Sequence, residues 1–243
     1  MRDRKKRSFC HRVLRFILPK WVADDFYHRF SHSYWTRGKI KFESVLTRSE
    51  GVTKKIEKTS SRQPFKRING GYVLSCLRKN KVETILDVGC GSGHLVSLLN
   101  SNNFKSCGIT INSEEIENAQ SKNIYLCDVQ NFESLKRIGI DRFDAILSFD
   151  CIEHLERPLE ALKNINKLLK KDGLFISYIP PVRWIECDYH VVVYSPRQYR
   201  WLLNLSGFEL IESEGRYLFS KRGVTYYARK ATEGEQVYPG VLQ

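Results

Sequence analysis

Hydrophobic residues fall along this chain in two alternating rhythms. Short continuous apolar runs, ILDV (85–88), KSCGITI (105–111), IYLCDV (124–129), FDAILSF (143–149) and GLFISYI (173–179), have the length and bias of buried strands. Between them lie stretches with apolar residues at helical spacing: HLVSLL after Gly93, SEEIENAQ (113–120) and LEALKNINKLLKK (159–171). Ser113 reads as the cap of the second of these, with acidic residues in its first turn. Strands alternating with helices predict an α/β domain whose parallel sheet is covered on both faces. The tail, SPRQYRWLLNLSGFELIE and then YLFSKRGVTYYARK, reads as one more helix and two strands, with Ser195 capping a helix that starts at Pro196.

The first strand runs into ILDVGCGSG (85–93). Glycines at 89, 91 and 93 turn the strand sharply into a helix. That brings bare backbone N–H groups to the carboxyl end of the sheet, where open α/β folds bind ligands. Asp87 stands two residues before the first glycine. A carboxylate there repels the phosphates of a dinucleotide but suits an ammonium group and ribose hydroxyls.

This string resembles motif I of the class I S-adenosylmethionine (SAM)-dependent methyltransferases, and the order of elements over residues 82–230 is similar to theirs. The resemblance implies a Rossmann-like, seven-stranded, mostly parallel sheet with a C-terminal antiparallel hairpin, and SAM as cofactor. It places Asp87 near the methionine end of SAM, with Gly89 and Gly91 letting the ligand approach the backbone. Asp128 would accept from the adenine amino group, Val129 would offer a backbone N–H, and Phe149 would line the pocket. The family's second strand usually ends in an acidic residue that grips the ribose; this chain has Thr110, as cyclopropane-fatty-acid-synthase-like members do. A threonine makes a neutral hydrogen bond, weaker than a charge-assisted pair.

Methyl transfer needs little from the protein beyond placing the acceptor and removing its proton. The residues for this are expected in DCIEHLERP, after the fourth strand. Asp150, Glu153 and His154 stand at i, i+3 and i+4, and would share a face in a helical turn. His190, after the fifth strand, is expected on the same sheet edge. His154 or His190 could act as general base, with Asp150 beside them. The four residues Asp150, Glu153, His154 and His190 could instead hold Mg²⁺ or another divalent cation. This set is similar to that of the ubiquinone-pathway O-methyltransferases and of the small-RNA 3′-terminal 2′-O-methyltransferases, where Asp150 is commonly Glu. The amino-methylating DNA enzymes and the cytosine C5 enzymes do not fit. The only Pro-Pro pair, Pro180–Pro181, follows the wrong strand, and no Pro-Cys nucleophile exists.

Composition changes the picture at one end. Residues 1–70 hold 19 Lys and Arg against 6 Asp and Glu, so all of the chain's formal charge of +13 lies there. The organisation read is a basic segment with a helical cap and linker (1–64) before a methyltransferase domain (65–243). Tyr34 and Trp35 are candidate lid residues, and residues 50–64 read as linker. The basic segment could touch an anionic membrane surface or RNA. Seven scattered cysteines without a CxxC pair suggest reduced thiols and a cytoplasmic setting, and Cys90 reads as a small packing residue. The expected acceptor is a hydroxyl of a small or carrier-linked molecule: a sugar, a quinone-type phenol or a polar lipid-associated group. The alternatives are an RNA ribose 2′-O-methyltransferase using the basic arm, and a binding module without catalysis.

Overall fold

The computed structural model describes residues 68–136, 142–180, 190–215 and 223–231. The basic N-terminal segment, with Tyr34, Trp35 and the 64/65 domain boundary, lies outside the described residues. Helix α1 (Gly70–Lys79) leads into β1 (Thr84–Val88), α2 (His94–Ser101), β2 (Lys105–Thr110), α3 (Ser113–Glu117), β3 (Ile124–Leu126) and α4 (Phe132–Lys136). Then come β4 (Phe143–Phe149), a 3₁₀ turn (Ile152–His154), α5 (Pro158–Leu168), β5 (Leu169–Ile179), α6 (Pro196–Leu205), β6 (Phe208–Gly215) and β7 (Val224–Lys230).

The seven strands form one sheet in the order β3-β2-β1-β4-β5-β7-β6. The pairs among β1 to β5 are parallel, and β7 runs antiparallel to both β5 and β6. This is the expected mostly parallel sheet with a C-terminal antiparallel hairpin. Two apolar layers cover it. On one face, Val73 and Leu77 of α1 and Leu95 and Leu99 of α2 pack on Ile85, Ala145, Leu147 and Ile176. On the other, Leu162 and Ile165 of α5 and Tyr199 and Leu203 of α6 pack on Leu86, Val88, Ile146 and Phe175. Burial on both sides is why the strands read as continuous apolar runs rather than alternating ones. After β1 the chain moves outward to β2, and it later returns to the other side of β1 as β4. That reversal opens a crevice at the carboxyl ends of β1 and β4.

Local boundaries differ from the sequence pattern in four places. Helix α3 is capped by Asn112, whose side chain accepts from the Glu114 N–H, and Ser113 is its first residue. Strand β3 stops at Leu126, so Asp128 and Val129 lie in the following turn. Helix α5 ends at Leu168 instead of running to Lys171, because Leu169 already pairs with Phe143. Strand β5 therefore starts at Leu169 rather than Gly173, and Lys170 reaches Asp144 at 2.7 Å. Burial pushes the Asp144 carboxyl up, but Lys170, Thr84 and the Glu83 N–H outweigh it and bring it down to about 2. Here a strand ladder and an ion pair override helical periodicity. The Ser195 cap forms as expected, in a reciprocal capping box with Gln198 and with Pro196 in the first turn. Among the described residues no helix is long and apolar enough to cross a membrane.

Candidate active site

The turn after β1 is shaped by its glycine backbone. Gly89 has φ +77°, and a Cβ there would lie 2.7 Å from the Cys151 Sγ. Gly93, at φ +82°, opens α2, and a Cβ there would run into Ile124. Both positions need the left-handed region and no side chain. The Gly89 and Cys90 N–H groups both donate to the Ile109 carbonyl at 3.0 Å, tying the turn to the end of β2. Cys90 packs against Gly108, and burial pushes its thiol well above the ordinary range. It is a packing residue, as its size suggested.

Asp87 is 3% exposed, and burial alone raises its carboxyl to about 7. A lone buried carboxylate of this kind is stabilised as an anion by a cation brought to it. Thr110, at the end of β2, donates its hydroxyl to the Glu115 carboxylate in α3. The same carboxylate lies 3.7 Å from where a Gly91 Cβ would stand. So the next helix brings a carboxylate to the end of β2, where Thr110 stands. The sequence reading missed Glu115; its signal was an acidic residue in the first turn, which was credited only to the helix dipole. Asp128 accepts from the Gln130 N–H at 2.8 Å, and Gln130 in turn accepts from the Arg157 N–H at 2.8 Å. Val129 is buried, and its carbonyl accepts from Asn164 at 3.0 Å. Phe149 is half-buried at the carboxyl end of β4, packed against the α1 and α2 layer.

Beyond β4 the chain makes a single 3₁₀ turn, and this corrects the expected helical face. Asp150 has φ +51° and precedes the turn, which begins only at Ile152. The i, i+3, i+4 geometry therefore does not apply. Glu153, His154 and His190 come together, with ligating atoms all within 4.8 Å of one another, while Asp150 is not part of that group. Glu153 is fully buried. Its Oε1 lies 3.9 Å from His154 Nε2, and the His154 side chain is 29% exposed. The His154 and His190 rings meet edge to face at 4.8 Å. His190 is held there because the Val191 and Val192 N–H groups donate to the Glu153 carbonyl at 2.9 and 3.1 Å. The arrangement is a buried carboxylate behind an imidazole that solvent can reach, with a second imidazole against it.

A family model described as a methyltransferase domain matches residues 63–213. The chain belongs to this methyltransferase family. Among curated relatives, it is 31% identical over 110 residues to (S)-coclaurine N-methyltransferase of Papaver somniferum, covering 40% of this chain and 30% of that protein. It is 29% identical over 127 residues to the ubiquinone biosynthesis O-methyltransferase of Haemophilus ducreyi, covering 44% and 54%. The chain thus spans about half or less of these two relatives. Among solved structures, a SAM-dependent methyltransferase from Clostridium acetobutylicum superposes with a TM-score of 0.59 at 13% identity, covering 75% of this chain and 99% of that one. The 1,6-didemethyltoxoflavin-N1-methyltransferase of Burkholderia thailandensis, solved with S-adenosylhomocysteine, gives 0.58 at 18% identity, covering 79% and 90%. At these identities the likeness is one of fold.

The methyltransferase's own residues fit the cofactor of its family. The isolated Asp87 carboxylate suits an ammonium group, the glycine turn leaves room for close approach, and Glu115 with Thr110 presents acceptors for hydroxyls.

Proposed function

We propose that this protein is a SAM-dependent O-methyltransferase acting on a hydroxyl of a small or carrier-linked molecule. The observation that carries this reading is the Glu153–His154 pair at the carboxyl edge, one member buried and the other reachable. Asp87, the Gly89–Gly91 turn, Glu115 and Thr110 would hold the cofactor, whose sulfonium supplies the methyl group. His154 takes the proton of the acceptor hydroxyl as its oxygen becomes the nucleophile. Glu153, behind it, stabilises the imidazolium that results. The fully buried carboxylate has little water to compete for that role. His190 packs against His154 and limits the directions from which an acceptor can enter.

An acceptor screen tests this reading. Labelled methyl transfer to catechols, sugars and phenolic quinone precursors is expected to yield O-methyl ethers. Exclusive transfer to amines, as the name of the poppy relative indicates for that protein, would overturn it.

A second reading is favoured by the same cluster. Glu153, His154 and His190 offer one carboxylate and two imidazoles, a donor set that suits divalent transition metals. A cation held there would acidify the acceptor hydroxyl directly. Activity abolished by a chelator and restored by a divalent cation favours this second reading; activity indifferent to the chelator favours His154 as the base.

A further inference from the structure

A chain of hydrogen bonds runs from the start of α5 into the turn after β3. Arg157, the residue before α5 and three after His154, donates its backbone N–H to Gln130 Oε1 at 2.8 Å. Gln130 donates twice to one oxygen of Asp128, Oδ1: from its backbone N–H at 2.8 Å and from its side-chain Nε2 at 3.3 Å. The same turn is clamped to α5 a second time, where Asn164 Nδ2 donates to the Val129 carbonyl at 3.0 Å. It closes on itself through the Asn131 N–H, which donates to the Asp128 carbonyl at 3.0 Å. Asp128 and Gln130 are both half-buried, so these bonds are partly shielded from competing water.

We propose that Gln130 is a positioning residue: it holds Asp128 by Oδ1 and reserves Oδ2 for a donor on the ligand, so that the site selects a purine with an amino group over one with a carbonyl oxygen. This rests on the reading that Asp128 meets the purine of the cofactor. The polarity of the chain carries the argument. A backbone N–H only donates, so Gln130 must offer Arg157 its side-chain oxygen. Its NH₂ group is then left for Asp128, and it too only donates. Oδ1 is thereby engaged by two donors, while no side-chain hydrogen bond among the described residues engages Oδ2. A carboxylate oxygen accepts and never donates. An exocyclic amino group complements it, whereas a carbonyl oxygen in the same place would leave two acceptors facing each other. Fixing the carboxylate beforehand spares the ligand the cost of ordering it.

The test is calorimetric titration of the full chain with S-adenosylhomocysteine and with S-inosylhomocysteine, in which a carbonyl oxygen replaces the adenine amino group. Wild type is expected to bind the adenosyl compound about tenfold more tightly or better, the scale of one hydrogen bond to a charged acceptor. Absence of that preference in wild type overturns the placing of Asp128 at the purine, and the proposal with it. Gln130→Glu keeps an oxygen for Arg157 and removes the donor to Asp128. It should weaken S-adenosylhomocysteine about tenfold and S-inosylhomocysteine less than about twofold, so that the preference disappears. A general loss of packing would lower both affinities together and leave their ratio unchanged. A ratio kept at the wild-type value therefore overturns the role of Gln130 while leaving Asp128 at the purine. If thermal melts show that Gln130→Glu folds poorly, Asp128→Asn decides. Its side-chain oxygen should take the two Gln130 donors and turn its NH₂ to the ligand, so the preference reverses toward S-inosylhomocysteine. Equal affinity, or a surviving preference for S-adenosylhomocysteine, overturns the proposal. Neither readout depends on methyl transfer.

Discussion

Along the carboxyl edge of the sheet, the proposed cofactor side and the proposed acceptor side are assembled differently. On the cofactor side, one unbroken run from Asp87 to Gly93 supplies carboxylate, turn and helix start, and the next strand and helix add Thr110 and Glu115. Its strength lies in backbone geometry, which tolerates few side chains. On the acceptor side, Glu153 and His154 sit on a short 3₁₀ turn and His190 arrives from beyond β5, held by two backbone hydrogen bonds. A common ligand needs a contiguous, rigid cradle. An acceptor pocket built from separate loops can change without disturbing the cradle.

If the two sides are separable, His154→Gln should give the largest effect. Turnover is expected to fall 10²- to 10⁴-fold, while S-adenosylhomocysteine affinity by calorimetry stays within about twofold. Loss of both would break the distinction.

Asp87→Asn attacks the other side. It is expected to weaken S-adenosylmethionine binding by about 30-fold, the scale of a lost charged partner. It should also flatten the pH dependence. In the free protein the Asp87 pKa is raised to about 7, so binding an ammonium group requires loss of a proton below that pH. Affinity should therefore rise between pH 5.5 and 7 and level off above it. Stability of the free protein runs the other way. The folded pKa lies above the unfolded value of 3.8, so the contribution is full below 3.8 and lost as pH rises through about 7. Thermal melts of wild type and variant from pH 4 to 8 check this.

Glu115→Ala sharpens the comparison within the cofactor side. Loss of the acceptor that α3 delivers to Thr110 should weaken binding about tenfold, by the same calorimetry. An unchanged affinity would return ribose recognition to Thr110 alone.

The smallest effect is expected far from both sides, at the amino edge. Asp144→Asn loses the charged contact with Lys170 and should lower stability by about 1 kcal/mol, allowing for its partial exposure. Because the folded pKa is depressed to about 2, that contribution is present above the unfolded value of 3.8 and fades as pH falls toward 2. Urea midpoints at pH 2.5 and 6 measure it, and ligand binding should not change.

The glycine turn was legible in the chain because its determinants are local. Asp87, Gly89 and Gly91 stand next to one another, and a turn that demands left-handed backbone announces itself by glycine. Strand and helix order followed from continuous apolar runs, which burial on both faces of a parallel sheet requires. The Glu153–His154–His190 cluster was legible only as a list of residue types. That Asp150 stays out of the Glu153–His154–His190 group was decided by a positive φ at Asp150 and a 3₁₀ turn, neither of which spacing reveals. The end of α5 was decided by Leu169 pairing with Phe143 and Asp144 capturing Lys170 across strands, and the position of Glu115 by the packing of α3 beside the glycine turn. The amino-acid sequence by itself determined the order of elements, the glycine turn and the chemistry on offer, because these depend on neighbours in the chain. Which acids and imidazoles meet was decided by the tertiary structure alone, because contacts between distant segments depend on how the sheet packs its helices.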